Sequence, residues 1–88
     1  MTTLDTTTLR AELIEILRRE MYVTKESIED EDELISDLGL DSANIAIGQV
    51  AIEQQLRVTL THQNIIDCST FGALVTIVAN ALLRDVST

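Results

Sequence analysis

Four groups of side chains in this sequence have types and spacings that could do chemistry: Ser42, His62, Cys68, and the acids Asp30, Asp32 and Asp41. Each would do something different. A serine hydroxyl can be a nucleophile or a point of covalent attachment, and a histidine can be a general base. A cysteine can be a reactive thiol, and acids at alternate positions can open a calcium loop.

Three of the four are better explained without chemistry. His62 is the sole histidine, and no Ser/His/Asp or Cys/His arrangement can be built around it; it reads as a solvent-facing or capping residue. Cys68 sits among Ile65, Ile66 and Phe71, the setting of a small buried hydrophobe. The acids fit positions one, three and twelve of a calcium loop. Leu34 and Ile35 then fall where an oxygen ligand and a glycine are required, so no metal site is expected. Ser42 remains. Taken alone, Asp41-Ser42 before an apolar run is an ordinary helix start, with Asp41 as the cap.

The elements that must position Ser42 follow from composition and periodicity. A chain of 88 residues makes one domain, here taken as 1–88 with residues 1–6 and 85–88 as flexible tails. It has no Pro and two aromatic residues, Tyr22 and Phe71, so its core is Leu, Ile, Val and Ala. That composition predicts an all-α fold. A threonine among Thr6, Thr7 and Thr8 can cap a first helix, in which Leu9, Leu13, Ile16 and Leu17 repeat at helical spacing up to Arg19 or Glu20. Glu12 and Glu15 early and Arg18 and Arg19 late are placed as the helix dipole prefers.

From Met21 to Asp41 there is no clear period, and eight acids lie between Glu26 and Asp41 with no base among them. Val23, Ile28, Leu34, Ile35, Leu38 and Leu40 are spaced so as to pin this segment onto the helices, each contributing roughly 1.5–3 kcal/mol if fully buried. A short helical turn is expected around Glu31–Ile35, and a positive-φ turn at Gly39. A second helix runs from Asp41 or Ser42 to about Leu56, a short third covers His62–Asp67, and a fourth follows Ser69 or Thr70 and ends near Arg84.

Charge narrows the partners. With 6 basic and 15 acidic residues the net charge is −9, which argues against nucleic acid and anionic membrane and favours a basic protein surface. The amino terminus lacks the basic-then-apolar pattern of a signal peptide. The oily run from Phe71 to Leu83 is shorter than the about 20 residues needed to span a bilayer. One cysteine, unable to form an internal disulfide, fits the cytoplasm.

The longer string around Ser42 is more specific than the dipeptide. "DELISDLGLDS", in the middle of a small acidic helical chain, closely resembles the acyl carrier proteins and their phosphopantetheine attachment motif; Asp37, Leu38, Gly39, Leu40, Asp41 and Ser42 all match. The resemblance covers most of the chain, from helix order to the long acidic loop. It implies a small right-handed bundle of three main helices and one short helix, with a long structured first loop. It implies that Ser42 takes a 4′-phosphopantetheine arm from coenzyme A, delivered by a transferase that uses magnesium and recognises Asp37, Leu38, Gly39, Leu40, Asp41 and Ala43. The arm's thiol then carries acyl groups as thioesters. The protein is on this reading a monomeric carrier and not an enzyme. Its partners are the phosphopantetheinyl transferase, an acyl-loading enzyme, and a ketosynthase, acyltransferase or condensation-type enzyme. A helix amino terminus suits the phosphodiester, because its N–H groups and dipole favour an anion.

The sequence also departs from the family. Ala43 replaces the usual leucine after the attachment serine. At about 100° per residue, Ile45, Ile52 and Leu56 form the core face of the second helix, with Gly48 nearby. Ala43, Ala46, Ile47, Val50, Glu53 and Gln54 lie opposite. Asn44, Ile47 and Gln54 stand where fatty-acid carriers often have acids, leaving Glu53 alone, so Asn44, Ala46, Ile47, Val50, Glu53 and Gln54 are expected to form a more apolar docking face. Gly48 costs about 1 kcal/mol in a helix. It either opens a pocket for an acyl chain, with Ile52 and Cys68, or allows close helix packing.

The expected function is therefore a free-standing acyl carrier of a bacterial polyketide or mixed polyketide–peptide pathway. The alternatives are a fatty-acid carrier, a peptidyl carrier (which typically reads Gly-Gly-His/Asp-Ser before the attachment serine) and a non-covalent acidic adaptor in which Ser42 only caps a helix.

Overall fold

The computed structural model describes residues 6–86, with His62 and residues 84–86 described by their backbone alone. Within that span the fold is all helical: α1 (Thr6–Glu20), α2 (Ser42–Leu56), α3 (His62–Ile66) and α4 (Phe71–Val86). α1 packs on both α2 and α4, and α3 bridges α2 and α4. One continuous core joins all four, with Leu13, Ile16, Leu17, Ile52, Phe71, Leu74 and Val78 almost wholly removed from water.

Several expectations shift in detail. Thr6 and residues 85–86, assigned to tails, are helical, while the rest of those tails lies outside the described residues. Because α1 begins at Thr6, Glu12 and Glu15 fall beyond its first turn, which holds no acid. The dipole is complemented at the carboxyl end alone, by Arg18 and Arg19.

The segment between α1 and α2 is fixed by backbone pairing as well as by buried side chains. Val23, Ile28, Leu34, Leu38 and Leu40 are buried as expected. Ile35 is not: it is 66% exposed, because the turn it belongs to points it away from the core. That turn sits later than expected. Asp37 and Leu38 N–H groups both donate to the Glu33 carbonyl, and Gly39 N–H donates to Ile35 (2.9–3.1 Å). Glu33 instead forms an isolated antiparallel bridge with Thr70.

The bridge sews the loop to the start of α4. Leu34 N–H donates to Ser69 O at 3.0 Å, while Phe71 and Gly72 N–H groups donate to Asp32 and Asp30 carbonyls at 2.9 Å. Thr70 Oγ1 accepts from Ala73 N–H, so the first N–H groups of α4, which no helical carbonyl can satisfy, are bonded to the loop and the cap.

Cations complete the attachment. Arg18 donates to the Lys25 and Glu26 carbonyls at 2.9 Å. Lys25 Nζ pairs with Asp32 at 3.0 Å and donates to the Ser27 carbonyl. Arg10 pairs with Asp30 and lies over the Phe71 ring, 5.4 Å from its centroid.

Candidate functional site

Ser42 is the first residue of α2 and is exposed. Asp41, extended at φ −128 and ψ −178, caps the helix by accepting the Asn44 N–H at 2.9 Å. The N–H groups of Ser42 and Ala43 have no acceptor among the described residues. The serine hydroxyl therefore sits beside free donors at the positive end of a helix dipole, which suits an attached phosphodiester.

The residues around it first build this geometry. Leu38 and Leu40 are buried on either side of Gly39, whose φ of 75 is the left-handed conformation that favours glycine. Leu40 N–H closes the turn onto the Leu34 carbonyl at 3.0 Å. Asp37 turns back into the loop, its carboxylate accepting the Glu33 N–H at 2.7 Å. Two leucine anchors, a glycine turn and an aspartate cap together force Ser42 to the surface at a helix start. Ala43 is exposed next to it.

Along α2 the residues expected to dock a partner divide into two groups. Ala46, Ile47, Val50 and Gln54 are exposed, Ile47 and Val50 each by about half. With Glu20, Ala51 and Gln55 they line a shallow open groove of about 470 Å³ between the end of α1 and the outward face of α2. Asn44 and Glu53 are half-buried and used internally. Asn44 Nδ2 donates to the Met21 carbonyl at 3.0 Å, and Glu53 Oε2 accepts the Leu60 N–H at 2.9 Å. Gln49 Nε2 donates to the Leu60 carbonyl at 3.0 Å, so α2 holds both backbone groups of that residue.

The space beside Gly48 is taken up by Met21. Gly48 is buried, and a Cβ there would lie 2.3 and 2.5 Å from the sulfur and methyl of Met21. The glycine serves close packing of the end of α1 on α2. Ile52 and Cys68 are buried in the same core. The Cys68 thiol donates to Asn64 O, and burial, with a lesser contribution from Asp67, raises its pKa and keeps it protonated.

Asp30, Asp32 and Asp41 are spread over separate duties: pairing with Arg10, accepting from Glu29 N–H and Lys25, and capping α2. Among the described residues no cluster of side chains is placed to hold a metal ion, and no helix is long and apolar enough to cross a membrane.

Residues 11–78 match the family model described as the phosphopantetheine attachment site. The chain belongs to that family. It is 43% identical over 74 residues to acyl carrier protein MbtL of Mycobacterium sp. (strain MCS), covering 84% of this chain and 83% of the relative. It is 44% identical over 64 residues to acyl carrier protein MbtL of Mycolicibacterium paratuberculosis, covering 73% and 72%. The same-named protein of Mycobacterium tuberculosis H37Rv is 36% identical over 78 residues, covering 89% and 92%. The chain is an acyl carrier protein, and the family implies a covalently attached phosphopantetheine.

Three features of this carrier were not found from sequence. Met21 as the partner of Gly48, Tyr22 as an exposed aromatic and Arg57 as the left-handed end of α2 all depend on how α1 and α2 cross or end. None carries a local sequence signal: Arg57 stands where a glycine or asparagine would announce a left-handed helix end, and an arginine does not.

Proposed function

We propose that Ser42 is the phosphopantetheine attachment point and that the protein shuttles acyl intermediates without catalysing their chemistry. The supporting observation is the exposed Ser42 hydroxyl at the amino end of α2, beside the unbonded N–H groups of Ser42 and Ala43. A magnesium-dependent transferase supplies the arm from coenzyme A. The Ser42 oxygen forms the new bond to phosphorus, the nucleotide half of coenzyme A leaves, and the hydroxyl proton passes to a base. The attached arm supplies a thiol that carries acyl groups as thioesters. Exposure of Ser42 at a loop-to-helix junction lets the arm swing away from the fold.

The proposed setting is a monomeric, cytoplasmic carrier of a bacterial polyketide or mixed polyketide–peptide pathway. Its partners after the transferase are an acyl-loading enzyme and a ketosynthase, acyltransferase or condensation-type enzyme. The names of its bacterial relatives support the acyl carrier role, and α2, whose single acid, Glu53, is tied to Leu60, supports a specialised pathway. Ala46, Ile47, Val50 and Gln54 form the docking face.

Incubation with coenzyme A, magnesium and a broad-range transferase, followed by intact mass measurement, tests the attachment. The wild type gains one phosphopantetheine and Ser42→Ala gains none while keeping its helical circular dichroism. A folded wild type that stays at its original mass rejects the reading. For the docking face, Ile47→Glu slows acyl loading of the holo-protein; equal rates for mutant and wild type count against it.

A further inference from the structure

Two non-glycine residues of the described chain have positive φ: Tyr22 at 58 and Arg57 at 56. L side chains enter this region at a cost that glycine avoids. Both stand where a helix must end. Past Tyr22 the chain doubles back, so that Val23 N–H reaches the Leu17 carbonyl at 3.1 Å, and Arg57 is the left-handed cap of α2. Glycine would serve the backbone at either place. Each position instead keeps a large side chain that is exposed and makes no hydrogen bond or ion pair among the described residues; Tyr22 is 76% exposed. Strain retained under side chains with no internal hydrogen bond or ion pair is a sign that those side chains face something outside the fold.

Their places agree. Tyr22 follows Met21, whose carbonyl is held by Asn44 in the first turn of α2 at 3.0 Å, so it stands beside the Ser42 end of that helix. Arg57 closes the other end. Between them run Ile47, Val50 and Gln54, and at about 100° per residue all three share a side with Ala43 and Arg57.

Among the cations whose side chains are described, the charges also single out Arg57. Arg10, Arg18, Arg19 and Lys25 are each engaged with acids or loop carbonyls, and Arg19 pairs with Glu20, the one acid lining the groove. Arg57 is thus an unpaired cation at the end of a stripe that is otherwise uncharged. A guanidinium in that position is matched by a carboxylate, which it can bind through two parallel hydrogen bonds.

We propose that the acyl-loading enzyme docks along this stripe with an apolar surface that covers Ile47 and Val50, receives Tyr22 at the Ser42 end and sets a carboxylate against Arg57. The proposal rests on the docking reading above and refines it. It assigns the partner a surface opposite in sign, at that end, to the basic patch that the chain's net charge of −9 suggests.

The test measures acyl loading of holo-protein, confirmed as holo by intact mass. The enzyme is the loading enzyme of the source cells, purified by following that activity. Arg57→Gly and Arg57→Glu are expected to raise KM by on the order of tenfold or more, the charge reversal most, with kcat little changed. The effect of Arg57→Glu shrinks in high salt. Tyr22→Gly is expected to raise KM severalfold. Both glycine variants melt at or above the wild-type temperature, which separates lost docking from lost fold. A wild-type KM in both Arg57 variants, with Ile47→Glu impaired, overturns this proposal and leaves the docking face standing. A wild-type KM in Tyr22→Gly overturns the aromatic contact. Normal loading of Ile47→Glu removes the docking face and this proposal with it.

Discussion

The segment between α1 and α2 holds eight of the chain's acids from Glu26 to Asp41, yet the carboxylates of Glu29, Asp30, Asp32, Asp37 and Asp41 and many of its backbone groups are bonded within the fold. α2 holds one acid, Glu53, and leaves Ile47 and Val50 half in water. In the first region carboxylates and carbonyls are consumed by Arg10, Arg18, Lys25 and the start of α4, so a sequence that looks like a solvated acidic loop behaves as framework. In the second, an oily helix is tied down on two flanks, by Asn44 on one and by Gln49 and Glu53 on the other, and its third face is left bare. Composition alone would assign the roles the other way round.

The largest test of this contrast is a pair of truncations. Leu34→Ala, in the acidic loop, removes a residue that is 2% exposed and is expected to cost about 2–5 kcal/mol. Ile47→Ala, in the apolar helix, is expected to change stability by no more than about 0.5 kcal/mol. Denaturant midpoints of both variants check this, and similar losses for the two would break the comparison.

A smaller effect is expected where the two regions meet. Gly48→Ala gains about 1 kcal/mol of helix propensity but pushes on Met21, and overpacking of a core costs roughly 1–3 kcal/mol, for a net loss of about 1 kcal/mol. Adding Met21→Ala to Gly48→Ala should recover part of the alanine's helix gain relative to Met21→Ala alone. Additive effects in that cycle would show that the contact is not coupled.

Asp32 tests the framework by pH. It is 8% exposed, and its pKa lies below the ordinary 3.8, chiefly through the Glu29 N–H hydrogen bond and then through Lys25. A depressed carboxylate stabilises the fold above its unfolded pKa, and that stability is lost as pH falls through the folded value. Asp32→Asn is therefore expected to melt below the wild type at neutral pH. The gap should close as the pH falls below about 4. A gap that persists unchanged in acid would mean that the Asp32 charge contributes nothing.

The smallest shift is expected at the end of α2. Arg57→Gly relieves a left-handed L residue, a cost of roughly 1–2 kcal/mol, against the roughly 0.5–1 kcal/mol of entropy that glycine adds to the unfolded chain. A net gain of about 0.5 kcal/mol in a thermal melt is the expected outcome. A clear loss would give Arg57 a structural duty and weaken its role at the docking face.

The sequence by itself determined what depends on near neighbours. The Leu38-Gly39-Leu40 anchors, the Asp41 cap and Ser42 at the helix start all act within a few residues, and so could be read directly. Helix order and most of the core followed from apolar spacing for the same reason. Only the tertiary structure decided which polar groups were already spoken for. Asn44 meets the Met21 carbonyl, Glu53 the Leu60 N–H, and Asp32 Lys25 beneath the start of α4. Ile35 swings outward because Glu33 pairs with Thr70, and the space at Gly48 goes to Met21 because α1 crosses α2 there. A side chain's type and spacing state what it can bond. What it does bond is set by which distant backbone arrives beside it, and that depends on how the helices pack.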